Sequence, residues 1–125
     1  MKSFIDFLKN SAKLISKWKY LAGTKKGDWL YRDYPVPMRV LVCINDGKII
    51  EISVSIDKYP LLASPLWSFD GFKPIEDFKK QFENVKKESY KQDTFKLKGQ
   101  ELDSKKFVNF LALAIKDIED LMKGF

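Results

Sequence analysis

Residues 39–57 read Arg39-Val-Leu-Val-Cys-Ile-Asn-Asp-Gly-Lys-Ile-Ile-Glu-Ile-Ser-Val-Ser-Ile-Asp57. Asp46-Gly47 separates two apolar runs. An Asp-Gly pair in that setting is a strong hairpin signal, because both residues tolerate the positive φ that a tight two-residue turn requires. After the turn, Ile50, Ile52, Val54 and Ile56 alternate with Glu51, Ser53, Ser55 and Asp57. A period of two describes a strand with one apolar and one polar face. The strand before the turn is different. Val40, Val42 and Ile44 point one way, Leu41 and Cys43 the other, and both sets are apolar. A strand of that kind is central and covered on both sides. The cover is either helices on both faces, or one layer of this chain plus a second chain or partner.

Upstream, Asp28-Trp-Leu-Tyr-Arg-Asp-Tyr34 is rich in strand-favouring aromatics, and Pro35 and Pro37 end it. Further upstream Phe4, Phe7, Leu8, Ala12, Ile15, Trp18, Leu21 and Ala22 recur at steps of three and four. That spacing predicts an amphipathic helix over 3–22, with Gly23 as its stop. Downstream, Leu66–Phe69 reads as a short strand and Asp70-Gly71 as a turn. Pro74 opens a predicted helix over 74–89, whose stripe is Ile75, Phe78, Phe82 and Val85. Residues 94–98 alternate enough for an edge strand, and Asp103 or Ser104 can cap a last helix over 103–124.

The predicted fold is a single α+β domain over residues 1–125. An antiparallel sheet of three to five strands, centred on the 39–56 hairpin, packs with an N-terminal amphipathic helix and two C-terminal helices. The predicted core is Phe4, Leu8, Ile15, Trp18, Leu41, Cys43, Ile50, Ile52, Val54, Phe78, Phe82, Phe107, Leu111, Ile115 and Ile118.

Composition excludes much chemistry. The 125 residues contain no histidine and one cysteine. Histidine-dependent catalysis, a catalytic Cys–His pair, an intrachain disulfide and a cysteine–histidine zinc site are therefore absent. No phosphate-binding glycine loop occurs. Glu51 and Asp57 lie six residues apart, about 20 Å along a strand, too far to share a proton or an ion. Asp117, Glu119 and Asp120 diverge around a helix. No cofactor and no metal is expected, and an enzyme is not. No apolar run is long enough to span a bilayer. Lys9, Lys13 and Lys17 interrupt any secretory apolar core. The lone thiol fits a reducing compartment, and the expected location is cytoplasmic.

The charge is unevenly placed. Residues 1–26 carry seven lysines against one acid, Asp6, while the other 99 residues balance 16 basic against 16 acidic groups. Only Arg32 and Arg39 are arginines. The Lys-rich segment reads either as a solvated helix face or as a contact surface, with phosphates or an anionic bilayer as the alternatives to protein. Trp29 and Tyr31 share one face of their strand and Arg32 takes the other. With Lys25 and Lys26 they offer a stacking platform with phosphate contacts, or else belong to the core.

Tyr59-Pro60 followed by Pro65, after a helix and a strand meander, resembles the strand-end loop of the RWD and ubiquitin-conjugating superfamily. The cysteine after the loop and the His-Pro-Asn of the conjugating enzymes are missing, so the resemblance implies an inactive, protein-binding member. The order helix, three strands, helix, strand, helix is also similar to secretion-chaperone-like domains, which bind extended partner segments. Those tend to be acidic, and this chain is basic.

The functional expectation is a small non-enzymatic protein-binding or adaptor module, as a monomer or a homodimer. The alternative is nucleic-acid binding. The candidate contacts are Lys9, Lys13, Lys17, Lys25, Lys26, Trp29, Tyr31 and Arg32. A membrane surface is not adopted as a partner.

Overall fold

The Asp-Gly turn forms as its chemistry requires: Asp46 and Gly47 adopt φ of 58° and 73°. It joins β3 (Met38–Asn45) to β4 (Lys48–Ser55) in an antiparallel pair. The structure is a computed structural model that describes residues 18–56, 65–97 and 99–124. Around the hairpin lie β1 (Lys19–Gly23), β2 (Asp28–Tyr34) and β5 (Trp67–Asp70). The five strands form one antiparallel sheet in sequence order, with β1 and β5 at its edges. Helix α1 (Pro74–Ser89) follows, then a two-stranded sheet of β6 (Thr94–Leu97) and β7 (Gln100–Asp103), then α2 (Ser104–Met122).

These findings correct the predicted fold in two places. The chain has a second, two-stranded sheet, because Gln100–Asp103 pairs back onto Thr94–Leu97 across Gly99. The predicted helix over 3–22 does not hold at its C-terminal end, where Lys19–Gly23 is an edge strand; its remainder, with Phe4, Leu8 and Ile15, lies outside the described residues. Two helices are seen among the described residues, not three.

The physical reason for the misread strand is a bulge. Tyr20 pairs with Leu30 and Ala22 with Trp29, so Leu21 is an extra residue. The bulge breaks the alternation and leaves apolar residues at steps of three and four, which imitates a helix. A second bulge does the same in β4. Cys43 faces Glu51 and Ile44 faces Ile49, leaving Ile50 unpaired. Ile49, Ile52, Val54 and Ile56 therefore share the main core. Ile50, expected in that core, belongs instead to the opposite face of the sheet.

The two faces differ in what lies against them. On one, Leu30, Val40, Val42, Ile52 and Val54 pack with Phe78 of α1 and Phe107, Leu111, Ala114 and Ile118 of α2. Trp18 joins this core, and Phe82 is only partly buried at its edge. On the other face, Trp29, Leu41 and Cys43 form a separate cluster, flanked by Leu21, Tyr31 and Ile50. Leu41 and Cys43 have 0% exposure.

Local chemistry accounts for the helix boundaries. Pro74 begins α1, with Glu76 and Asp77 in its first turn and Lys86 and Lys87 in its last, charges that suit the helix dipole at both ends. Asp103 caps α2 by accepting a bond of 2.9 Å from the Lys106 N–H. Among the described residues, no helix is long and apolar enough to cross a membrane.

The β1–β2 turn closes on Gly27, where a Cβ would stand 2.4 Å from the Ile44 carbonyl oxygen and 3.0 Å from Cys43 Sγ. Gly27→Ala is expected to force the turn off β3 and to cost about 1–3 kcal/mol of stability, the usual range for overpacking. A urea midpoint within error of wild type would show that the turn accommodates the methyl group.

Candidate functional site

The eight residues nominated from sequence do not converge. Lys9, Lys13 and Lys17 lie outside the described residues. Lys25 and Lys26 are exposed in the β1–β2 turn, and Lys26 is ion-paired with Glu51 of β4. Trp29 is 5% exposed within the second apolar cluster. Tyr31 lies beside it, partly buried, with the Arg39 guanidinium 4.2 Å from its ring centroid. Arg32 points to the other face and is occupied by Asp117. The rings face protein and an arginine, so they present no open pair on which bases could stack. Of the cations in this segment, Lys25 alone has no ion pair among the described residues.

Two buried groups have the chemistry of catalytic residues in other settings. Asp117 of α2 is 7% exposed. It accepts a 2.8 Å bond from the Tyr34 hydroxyl, and Arg32 Nη1 stands 2.7 Å from the same oxygen. The arginine contact is an ion pair lying off the N–H direction, since Nη1 makes no aligned hydrogen bond. The Arg32 guanidinium also lies 5.3 Å from the Tyr34 ring centroid. Burial, reinforced by the Asp117 charge, pushes the Tyr34 phenol far above its ordinary value, against the opposing pull of Arg32. The trio ties β2 to α2, with both contacts converging on Asp117 Oδ2.

Cys43 is the second such group. Burial pushes its thiol up to about 11; the Glu51 carboxylate adds to the shift and Lys26 opposes it. Glu51 also accepts from the Ser53 and Ser68 hydroxyls, at 3.3 and 3.4 Å. The sheet's second face is thus largely apolar from β1 to β3, with Ile50 of β4 beside it, and turns polar from Glu51 toward β5.

Two clefts remain. The first, about 280 Å³, opens between α1 and the β6–β7 hairpin; its floor is Trp67, Phe95 and Phe107, with Gln81, Asn84 and Gln92 among its polar groups. Its rings are packed on one another, Phe107 lying 6.1 Å from Trp67 and 6.2 Å from Phe95. Its one charged group, Glu88, is paired with Lys91 at 3.2 Å.

The second cleft is larger, about 430 Å³. It forms where three segments meet: the β3–β4 turn with Lys48 and Ile49, the β5–α1 loop with Phe72 and Lys73, and the C-terminal end of α2 with Met122. Ile75 and Glu76 from the first turn of α1 complete it. Phe72 stands at its rim 93% exposed, the most exposed large apolar side chain among the described residues. Gly71, at φ 121°, turns the chain into this position, and Pro74 fixes the other side of the loop. Sequence reading passed over Phe72, because an aromatic after Asp70-Gly71 looks like any core residue until its surroundings are known.

Comparison of the chain with known protein families, with curated proteins and with solved structures finds no match.

Two outcomes are expected of the buried groups. Cys43 should react with a neutral thiol reagent at pH 8 at least about 100-fold more slowly in the native protein than in denaturant, since the thiolate is scarce and the path is closed. Comparable rates would show that the second face opens readily. For Tyr34, the folded state binds the phenolic proton more tightly than the unfolded chain. The stability this gives is fully present below about pH 10 and is lost as pH rises beyond it toward the higher folded value. Tyr34→Phe should therefore flatten the alkaline limb of a urea-midpoint profile between pH 8 and 11. Parallel limbs for the two proteins would remove Tyr34 from the linkage.

Proposed function

We propose that the chain is a non-enzymatic protein-binding module, and that its docking site is the corner around Phe72. The observation that carries this reading is the 93% exposure of Phe72 at the rim of an apolar-floored cleft. Leaving a phenylalanine in water has a free-energy cost that the core does not recover. A contiguous exposed apolar feature with a polar rim marks an interaction surface far more often than a single scattered side chain does. Buried aromatic anchors beside a pocket dominate binding energies at interfaces.

The buried groups support the same reading. The thiol is enclosed and protonated, and the one buried carboxylate among the described residues is engaged by Tyr34 and Arg32. Of the nominated basic residues that are described, Lys26 is engaged by Glu51 and Arg32 by Asp117, which leaves Lys25.

Phe72 is nearly free of neighbours, so Phe72→Ala should change folding stability by no more than about 0.5 kcal/mol. Against a partner it should cost about 2 kcal/mol or more, roughly 30-fold in affinity. Tyr90, 79% exposed at the far end of α1, is the matched control. Tagged wild type, Tyr90→Ala and Phe72→Ala would be compared for stoichiometric partners from host lysate. A partner kept by the first two and lost by the third is the expected result. Identical capture by all three would reject this corner as the docking site.

A further inference from the structure

We infer that the Phe72 corner takes an acidic segment of its partner: a short stretch in which an aliphatic side chain is flanked by aspartate or glutamate. This rests on the reading of Phe72 as a docking anchor and adds the chemistry of what docks. The argument is the charge of the rim. Lys48 and Lys73 line the cleft, both are exposed, and neither has an ion pair among the described residues. Lys73 Nζ lies 5.9 Å from the Phe72 ring centroid, so a cation and the apolar anchor are presented together. The one acid of the lining, Glu76, has Lys79 only at 3.9 Å, because Lys79 is engaged by Glu119 at 3.0 Å. Lys123, just beyond Met122, is held by Asp120 at 3.7 Å. Among the described residues the rim thus carries two lysines without ion pairs and one weakly paired acid, a positive balance beside the apolar Ile49, Ile75 and Met122.

Other occupants fit less well. A second copy docking through the same corner would bring lysine-bearing rims together, and like charges across an interface are costly. A bilayer is flat and meets Phe72, but it leaves the 430 Å³ cleft behind the ring unfilled. A peptide side chain fills the cleft, its backbone passes Phe72, and its flanking carboxylates reach the two lysines. The volume lies in the range of pockets that enclose small ligands.

The test is an NMR titration of the whole ¹⁵N-labelled chain with four probes. These are an eight-residue peptide alternating glutamate and leucine, its lysine–leucine and glutamate–serine counterparts, and vesicles containing phosphatidylserine. The glutamate–leucine peptide alone is expected to shift the amides of residues 47–49, 71–73, 75, 76 and 122. Its affinity should fall about tenfold from low to physiological salt, as screening of exposed charges dictates. Lys48→Glu with Lys73→Glu should weaken it about tenfold or more, and Phe72→Ala should weaken it too.

Equal binding of the lysine–leucine peptide, no response at these residues to the glutamate–leucine peptide, or indifference to the lysine reversals overturns the acidic assignment. In those cases the docking site still stands if Phe72→Ala abolishes partner capture. Shifts produced by vesicles alone overturn the assignment in favour of a lipid surface. Self-association that Phe72→Ala removes overturns it in favour of a second copy. If Phe72→Ala leaves partner capture unchanged, the docking reading itself falls, whatever the peptides do.

Discussion

Strand β3 has almost no polar side chain to offer to water, and the rest of the fold is arranged around that constraint. Val40, Val42 and Ile44 are buried against the layer of α1 and α2, and Leu41 and Cys43 are buried on the other face. An antiparallel sheet that fronts water on one side alternates apolar and polar residues, and β3 does not. Its neighbours grade the difference. Toward β1, the second face stays apolar through Trp29, Tyr31 and Leu21. Toward β5 it turns polar, with Glu51 gathering Lys26 and two serine hydroxyls. One bulge lies in the edge strand β1 and the other in β4, and each sends one extra apolar residue, Leu21 or Ile50, to the second face.

The two arginines serve this same two-faced sheet. Arg32 sits on the helix side, against the Tyr34 ring and paired with Asp117. Arg39 sits on the other side, over the Tyr31 ring, with two nitrogens bonded to Asp33 at 2.6 and 2.9 Å. Each joins a tyrosine face to a carboxylate, which a planar, permanently charged guanidinium does better than an ammonium. The chain uses its two arginines inside the architecture and leaves its exterior to lysine. A low arginine content therefore says little about what the surface recognises. The surface charges are mobile, strongly hydrated ammonium groups, suited to carboxylates of a partner and poor at planar, bidentate readout.

Legibility in the sequence follows the range of the interactions. The 39–56 hairpin was readable because its turn chemistry is local. So were α1, with Pro74 at its start, and α2, with Asp103 as its cap. Strand β1 was not, because a bulge at Leu21 erases the period of two and the strand exists by pairing with β2. Strand β7 was not, because Gln100–Asp103 carries little apolar signal beyond Leu102 and is held by β6. The same limit governs the site. The nearness of Asp117 to Arg32 and Tyr34 spans more than eighty residues of chain and leaves no local trace. Burial of Trp29 depends on Leu41 and Cys43 across the ladder. Phe72 is the reverse case, an aromatic whose composition suggests core and whose loop carries it away from the core.

That displacement connects the fold to its proposed use. The Phe72 corner is built from the ends of elements, namely one hairpin turn, one strand-to-helix loop and one helix terminus. None of the residues that fill the main core depends on Phe72, so selection can change the corner without unfolding the protein. The backbone there is nevertheless constrained. Gly71 occupies a conformation that other residues rarely adopt, and the loop ends in Pro74 at the start of α1. A side chain held out by a constrained loop loses less conformational freedom when a partner covers it than one on a flexible tip, and that saving appears directly as affinity. The sheet and helix ends thus place an apolar ring beside two exposed lysines that have no ion pair among the described residues. For the docking role proposed here, that arrangement is what would let the corner discriminate among partners.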